Sequence, residues 1–422
     1  MPTFVHNRGG GILPASIAAT CRIFAGVRYS AGKTSLADIL KAMQIPLQPD
    51  DRIYYDFPNT AAYSPVAYFP QALAIKFGRL VQWTPLLLLY LARFSNLFFW
   101  TGAGYAALRL APGFQRPLFL LMLMPMSLFQ AASLSSDGIG NSFAFLFSAM
   151  IWRLAVRHGE TQNASVSWRS ISVLVLLSIG IGMTKPVYLP LTAMLFLIPA
   201  QEFGGSKRRL AAIAALAVAG ICGECLWAIN TPGLNTIFNG VPGLDVFPGQ
   251  QLTFLRQHPS EWFYVPLRTV RQFWWKRTIE FVGCFGWADL PMTGASCVAY
   301  LGALVWACRS ASRNIIVTNP WKWTLILFAV ICASISAICF LAYLYWNMPG
   351  NDAIKGLQGR YFIPIAPAIL MLICVWFRQC SRRFSSSQKS APLWHNFICA
   401  MFAVANLTYT LLLIRYRYYL PD

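Results

Sequence analysis

Apolar runs long enough to cross a bilayer recur along almost the whole chain after residue 84, and nothing constrains its fold more. A hydrocarbon core of about 30 Å needs roughly 20 residues at about 1.5 Å per residue. Ten such runs can be drawn: 84–107, 117–134, 139–157, 170–184, 186–201, 210–230, 292–309, 323–345, 361–378 and 395–414. Backbone groups inside lipid must be paired within their own segment, so these runs predict helices and not open strands. The expectation is an all-α polytopic membrane protein with ten spanning helices, or eleven if one more lies upstream. Of the 422 residues, 57% are hydrophobic and 11% charged, which excludes a water-soluble globular domain of this length.

The net charge of +20 is not the footprint of a nucleic-acid binder, because the basic residues sit in short loops between apolar runs and form no stripe. In alternate loops lie Arg109, Arg116, Arg153, Arg157, Arg169, Lys207, Arg208, Arg209, Arg309, Arg313, Lys322, Arg378, Arg382, Arg383 and Lys389, fifteen in all. The intervening loops hold three: Lys185, Lys355 and Arg360. By the positive-inside rule the first set faces the cytosol, which predicts a multi-pass protein of a bacterial cytoplasmic membrane with its large loops outside.

The chain divides into an extracytoplasmic segment with a juxtamembrane helix (1–83), a first bundle (84–230), an outer loop (231–291) and a second bundle (292–422). Segment 1–83 carries eight Lys and Arg and no leader-like apolar stretch, so its export calls for a further helix upstream of Met1. Within the outer loop, Trp262, Phe263, Leu267, Val270, Phe273, Trp274 and Trp275 alternate with Arg268, Arg271, Lys276 and Arg277, the pattern of an amphipathic helix lying in the interface.

This topology brings four polar motifs to one face: Ser135-Ser136-Asp137-Gly138, Thr184-Lys185-Pro186, Gly286-Trp287-Ala288-Asp289 and Gln358-Gly359-Arg360-Tyr361. Arg360 at the outer mouth of a helix is shaped for a bidentate phosphate contact. Lys185, at a hinge between two short helices, either snorkels to the interface or joins Arg360. Arg93, about nine residues into the first helix, must be paired or reach water, since a charge at that depth costs at least ~2.5 kcal/mol. Asp137 suits a turn or a helix N-terminus as well as a site. Glu224, inside the sixth helix, has no neighbouring base and is expected to be paired across the bundle or protonated. Asp50, Asp51 and Asp56 lie in a Pro-rich stretch where Asp starts turns, though each could serve as a base or metal ligand. Cys222 and Cys225 form a C-x-x-C inside an apolar run and read as buried helix thiols. There is no Walker loop, dinucleotide fingerprint or H-E-x-x-H, so no nucleotide cofactor is expected and the need for a divalent metal stays open.

In order, Gly9-Gly10-Gly11-Ile12-Leu13-Pro14, Tyr63-Ser64-Pro65, Ala92-Arg93-Phe94, S-S-D-G, T-K-P-V-Y-L, G-W-A-D-L-P and Q-G-R-Y-F-I-P resemble the bacterial membrane-protein family catalogued as domain of unknown function 2142. Such proteins are similar to C-type glycosyltransferases, which take a sugar from a polyprenyl-phosphate carrier at the outer face. The resemblance implies an acidic motif in the first outer loop whose carboxylate deprotonates the acceptor hydroxyl; on the reading adopted here Arg360, Lys185 and Arg93 bind the donor phosphate, and Asp56 and Asp137 are the candidate catalytic carboxylates. Asp289, Trp287 and Tyr361 would orient the substrates. The partners implied are membrane lipid, a lipid-linked sugar and an envelope acceptor, with no nucleic acid and no particular oligomeric state. An acidic motif after a first membrane helix, followed shortly by His, is absent before Gly9, and His6 is too isolated to replace it. A transporter or flippase of an anionic solute, using Arg93, Lys185 and Glu224, and an inactive truncated protein are the alternatives.

Overall fold

The computed structural model describes residues 3–5, 8–28, 32–61, 63–156, 166–231, 246–313, 317, 319–382 and 394–419; His6 lies outside them. The amino-terminal segment forms β1 (Thr3–Val5), β2 (Arg8–Pro14), α1 (Ala15–Ile23), α2 (Leu36–Met43), β3 (Arg52–Asp56), α3 (Pro58–Ala61) and α4 (Phe69–Leu80). Next come α5 (Pro85–Leu110), α6 (Gln115–Met122), α7 (Pro125–Ala131), α8 (Ser136–Ala155), α9 (Trp168–Thr184) and α10 (Ser206–Ile229). Beyond these lie α11 (Pro248–Gln257), α12 (Glu261–Val282), a small ladder of β4 (Cys284–Phe285) with β5 (Leu290–Pro291), then α13 (Gly294–Ser312), α14 (Pro320–Trp346), α15 (Ala366–Arg382) and α16 (Trp394–Tyr418). β1, β2 and β3 make one antiparallel sheet in that order, with Gly10 opposite both Thr3 and Asp56.

The protein is mostly helical, as expected. Among the described residues four helices, α5, α10, α14 and α16, are long and apolar enough to cross a membrane, and shorter apolar helices cover Trp168–Thr184, Pro186–Leu197 and Ala366–Cys380. Several apolar runs do not become the continuous spans drawn from sequence. The run 117–134 is broken into α6 and α7, because Pro125 cannot donate to the preceding turn. The run 186–201 winds as a 3-10 helix over Pro186–Leu197, with Pro190 inside it. The run 361–378 starts as a 3-10 turn at Gly359–Phe362 and becomes α15 only at Ala366. Conversely, α8 contains Ser, Asn and Gly on nearly every side, yet it is enclosed by protein along most of its length and need not be apolar.

Contacts at the two ends show that the chain runs back and forth. Phe99 meets Phe143 and the Trp152 indole donates to Pro112 O at 2.8 Å, so α5 and α8 run parallel, with α6 and α7 returning between them. At that same end Arg116 of α6 reaches Ser310 of α13 and Asn396 of α16. At the other end lie the start of α8, the 185–188 turn, residues 347–362 and the last turn of α16, where Thr34 N donates to Tyr418 O. α9 and α10 pack closely at Gly182 and Gly220, where a Cβ on Gly182 would strike the Gly220 backbone, and Ser178 Oγ donates to Leu216 O at 2.7 Å. Small residues at such a crossing let two backbones approach.

The core at the end of the bundle where α8 finishes is aromatic: Phe114 stacks on Trp152 at 4.6 Å, which meets Trp323 edge-on at 6.2 Å. α14 also packs on Pro186–Leu197, so the stretches 84–230 and 292–422 share one core. Cys222 and Cys225 are exposed and not buried, since the face of α10 that carries them points away from the bundle. Exposed Trp262, Phe263, Leu267, Val270 and Trp274 mark the outer face of α12.

Candidate functional site

The site is organised by the break between α7 and α8. Ser135 caps α8, its Oγ accepting from Asp137 N at 3.1 Å, so Asp137 falls in the first helical turn where backbone N–H groups favour a negative charge. Its carboxylate is buried and turned inward. Gln130, near the end of α7, donates Nε2 to Asp137 Oδ2 at 3.0 Å, and Asn141 Nδ2 in turn donates to Gln130 Oε1 at 2.9 Å. These amides fix the carboxylate from one side.

From the other side come two cations. Lys185 sits where α9 gives way to the 3-10 helix, because Pro186 ends the α-helical ladder, and its Nζ donates to Asp137 Oδ1. Arg360, on the 3-10 turn before α15, places Nε 3.6 Å from Asp137 Oδ2. That is an ion pair too long for a hydrogen bond, and Arg360 Nε is buried without a partner in the described structure. Two cations and one carboxylate leave the cluster with a net charge of +1.

Aromatic rings close around these charges. Lys185 Nζ lies 4.6 Å from the Tyr361 ring centroid and 5.7 Å from that of Tyr63, and the Arg360 guanidinium is 5.7 Å from Tyr361. Tyr188 donates its hydroxyl to Tyr361 O at 2.9 Å, joining the 185–188 turn to the 359–362 turn. Burial pushes the Tyr68 phenol well up from its ordinary pKa, so it remains a neutral hydrogen-bonding group beside Ser136.

The turn bearing Arg360 is held from α12. Glu280 accepts from Gly359 N at 2.9 Å and from Arg277 Nη1 at 2.8 and 2.9 Å. Gly359 is pressed so closely against α12 that a Cβ there would collide with Arg277 O. Beside the cluster an apolar cavity of about 350 Å³ is lined by Val66, Phe69, Pro70, Phe99, Ile139 and Phe143. Its walls alternate in sequence with the site: Val66 falls between Tyr63 and Tyr68, and Ile139 follows Asp137.

The four polar motifs therefore do not form one cluster. Three meet at Asp137, Lys185 and Arg360, with Tyr361 against both cations. The fourth stands apart: Asp289 accepts from Trp287 N at 2.9 Å and faces Arg417 at 3.4 Å, while the Trp287 ring lies under Arg28. Arg93 is not part of the Asp137 cluster either; its Nε donates to Ala132 O at 2.7 Å, satisfying a carbonyl where α7 ends, and Asn96 does the same for Ser133 O. Asp56 lies at the exposed end of β3 and joins none of the ion pairs among the described residues. Glu224 is half-buried on α10 and makes no hydrogen bond or ion pair among the described residues, so the pairing across the bundle expected for it is not found. No group of three His, Cys, Asp or Glu side chains gathers among the described residues.

Tyr63, Tyr68, Tyr188, Gln130, Asn141, Arg277 and Glu280 were missed by sequence reasoning about the site. Two carried a signal: Glu280 has Arg277 three residues before it on a helix face, and Tyr188 lies two residues after the T-K-P motif.

A family model described as predicted membrane protein (DUF2142) matches residues 31–369. No curated protein and no solved structure matches the chain.

Proposed function

The chain belongs to the DUF2142 family of predicted membrane proteins, and from that premise we propose that it is a polytopic protein of the bacterial cytoplasmic membrane that moves a sugar from a polyprenyl-phosphate carrier to a cell-envelope acceptor. In this reading the end carrying Arg109, Arg116, Arg309 and Arg313 faces the cytosol, and the Asp137 cluster faces out.

The observation that carries the proposal is Arg360, whose buried Nε has no hydrogen-bond partner among the described residues and meets Asp137 only at ion-pair distance, in a cluster of net positive charge. A buried donor without an acceptor costs about 1–3 kcal/mol, more when charged, and a phosphate oxygen would satisfy it. The apolar cavity beside it suits the first isoprene units of the carrier, so headgroup and tail have adjoining places.

In the transfer, the acceptor hydroxyl oxygen bonds to the anomeric carbon as the bond from that carbon to the phosphate oxygen breaks. The bonding electrons leave with the polyprenyl phosphate, whose growing charge faces Arg360 and Lys185. The hydroxyl proton goes to a carboxylate. Asp137 is poorly suited to take it, because a carboxylate held between two cations is a weak base; its part is to hold both cations in place. Asp56, exposed and without a hydrogen bond to its carboxylate among the described residues, is the base we assign. Tyr361 offers a ring face to the sugar. Asp289 and Trp287 are too engaged with Arg417 and Arg28 to share the same pocket, and serve at its margin.

The test is binding of polyprenyl phosphate to purified protein, against the unphosphorylated polyprenol, together with the surface-glycan profile of cells. Arg360→Ala and Lys185→Ala should each weaken phosphate-dependent binding and abolish the glycan modification while the protein still inserts. Asp56→Asn should keep binding and lose the modification. Equal binding of alcohol and phosphate by the native chain, or an unchanged glycan in all three variants, would reject the reading.

A further inference from the structure

At the opposite end of the bundle from Asp137 lies a second cavity, of about 500 Å³, with a lining that includes Leu108 of α5, Gln115, Arg116 and Phe119 of α6, and Asn396 and Cys399 of α16. Its position is fixed by Pro112, which also lines it and accepts from Trp152 near the far end of α8. At about 1.5 Å per residue, the fifteen residues from Asp137 to Trp152 separate the two sites by roughly 22 Å.

Arg116 dominates the cavity. It donates Nε to Asn396 Oδ1 at 2.7 Å and Nη1 to Ser310 Oγ at 2.9 Å. Both acceptors are neutral, and Arg116 forms no ion pair among the described residues. The surrounding helices cannot supply one. The sequence has no Asp or Glu between Asp56 and Asp137, between Asp289 and Asp352, or between Asp352 and Asp422, and these stretches include all of α5, α6, α13 and α16. A half-buried guanidinium among apolar helices, with no acceptor for its Nη2 among the described residues, leaves a donor open to an anion from outside the chain.

The rest of the lining says what kind of anion. Gln115 and Asn396 supply amides beside the charge, whereas Leu108, Phe119 and Cys399 are apolar. The surface continues along α5 and α16 through exposed Tyr105, Phe397 and Met401, a path that a hydrocarbon chain can follow and a free ion cannot use.

We propose that this cavity is a binding site for an anionic glycerophospholipid of the leaflet at that end, its phosphodiester held by Arg116 with Gln115 and Asn396, and its acyl chains lying along Leu108, Phe119 and Cys399. The bound lipid neutralises Arg116 and ties the first turn of α16 to α6 and α13. This site is independent of the chemistry proposed at Asp137. Basic pockets between membrane helices are known to take such headgroups, and one basic side chain near an anionic lipid corresponds to about a fivefold preference.

The experiment titrates the purified full chain in neutral detergent with phosphatidylglycerol, phosphatidylcholine and inorganic phosphate, reading bound lipid by native mass spectrometry. Phosphatidylglycerol should bind about fivefold more tightly than phosphatidylcholine, Arg116→Gln should remove that preference, and Arg116→Lys should keep most of it. Because Arg116 also bridges three helices, the native chain is treated in parallel with a phosphatidylglycerol carrying a photoreactive acyl chain. Labelled peptides from 105–119 and 394–401 support the site. Equal affinity for the two lipids, an unaltered preference in Arg116→Gln, labels confined to other segments, or displacement of the lipid by inorganic phosphate at equal concentration would each overturn it.

Discussion

Replacing Asp137 by Asn removes one charge from the centre of the cluster and almost no volume. Gln130 and Lys185 donate to different carboxylate oxygens, so the single amide oxygen can keep one of them while the new NH2 faces the other donor, and the change removes the charge together with one acceptor. The Lys185 and Asp137 side chains are only 13% and 9% exposed, and solvent cannot screen what is lost. Breaking a buried pair by removing one partner costs about 3–5 kcal/mol, because the remaining ion stays desolvated. Here two cations stay behind, Lys185 and Arg360, and they now repel one another. The expected loss of stability is therefore about 3 kcal/mol or more, a large share of the roughly 5–15 kcal/mol that holds a folded domain together. Thermal unfolding in detergent, followed by the fluorescence of the 15 tryptophans, reads it directly. Adding Lys185→Met should recover part of the loss, with a coupling of about 1–3 kcal/mol between the two positions.

Ligand binding should move in the opposite sense. On the proposed reading Asp137 would compete with a phosphate for the same two cations. At an effective dielectric constant of about 20, unit charges ~5 Å apart interact by roughly 3 kcal/mol, which sets a ceiling of about a hundredfold on the gain. With rearrangement of the freed side chains, Asp137→Asn should bind polyprenyl phosphate about tenfold more tightly than the native chain, and turn over less. A variant that is as stable as the native chain and binds the phosphate no better would refute the view that these three charges act as one network.

Other perturbations probe the frame. Glu280→Gln should leave the protein folded but weaken polyprenyl-phosphate binding several-fold, since its carboxylate holds both Gly359 N and Arg277; titration of the purified variant checks this. Gly359→Ala should do the same and also lower the unfolding temperature, because the added methyl meets the α12 backbone. Asp289→Asn should cost about 1 kcal/mol or less in thermal unfolding and leave phosphate binding unaltered, as expected for a pair at the margin of the site. Gly182→Val should destabilise by about 2 kcal/mol or more by forcing α9 from α10, a loss visible in the same melting assay and absent in Gly102→Val, where nothing lies within contact.

Much of this arrangement was legible in the chain because parity of helix crossings is a sequence property. Counting apolar runs placed the S-S-D-G, T-K-P and Q-G-R-Y motifs at one end, and the structure brings their charges together. What could not be read was which charge meets which. Lys185 and Asp137 are 48 positions apart, and each had an adequate local account as a snorkelling cation and a turn former. Arg93 was read from its depth alone, whereas the carbonyls freed where α7 ends supply a neutral partner that no sequence pattern announces. The hinge at Lys185 was read from Pro186, but hydropathy treats a Pro-containing apolar run as uniform, so it missed the break at Pro125 that divides α6 from α7 and the 3-10 winding of Pro186–Leu197.

Those breaks determine how a ligand would arrive. Ser95 Oγ donates to Pro70 O and Asn96 Nδ2 to Ser133 O, so the α7–α8 break lies level with residues 95–96 of α5 and not with its start at Pro85. The eleven residues between correspond to roughly 16 Å of helix, with α4 packed antiparallel alongside. The α4–α5 pair is thus a wall rising past the cluster, and its exposed Phe69, Leu73, Phe77 and Leu80 form an apolar stripe along the outside. At the foot of this wall, where Phe69 and Phe99 face Ile139 and Phe143, the apolar cavity opens beside Asp137. A lipid-linked substrate would enter sideways at this point, tail in the cavity and phosphate against Arg360, while a water-soluble acceptor would descend along the inner face of the wall. On the proposed reading, two substrates of opposite solubility would then meet beside the Arg360 and Lys185 cations without either crossing the other's path, a meeting that a recessed polar cluster would serve better than one at the surface.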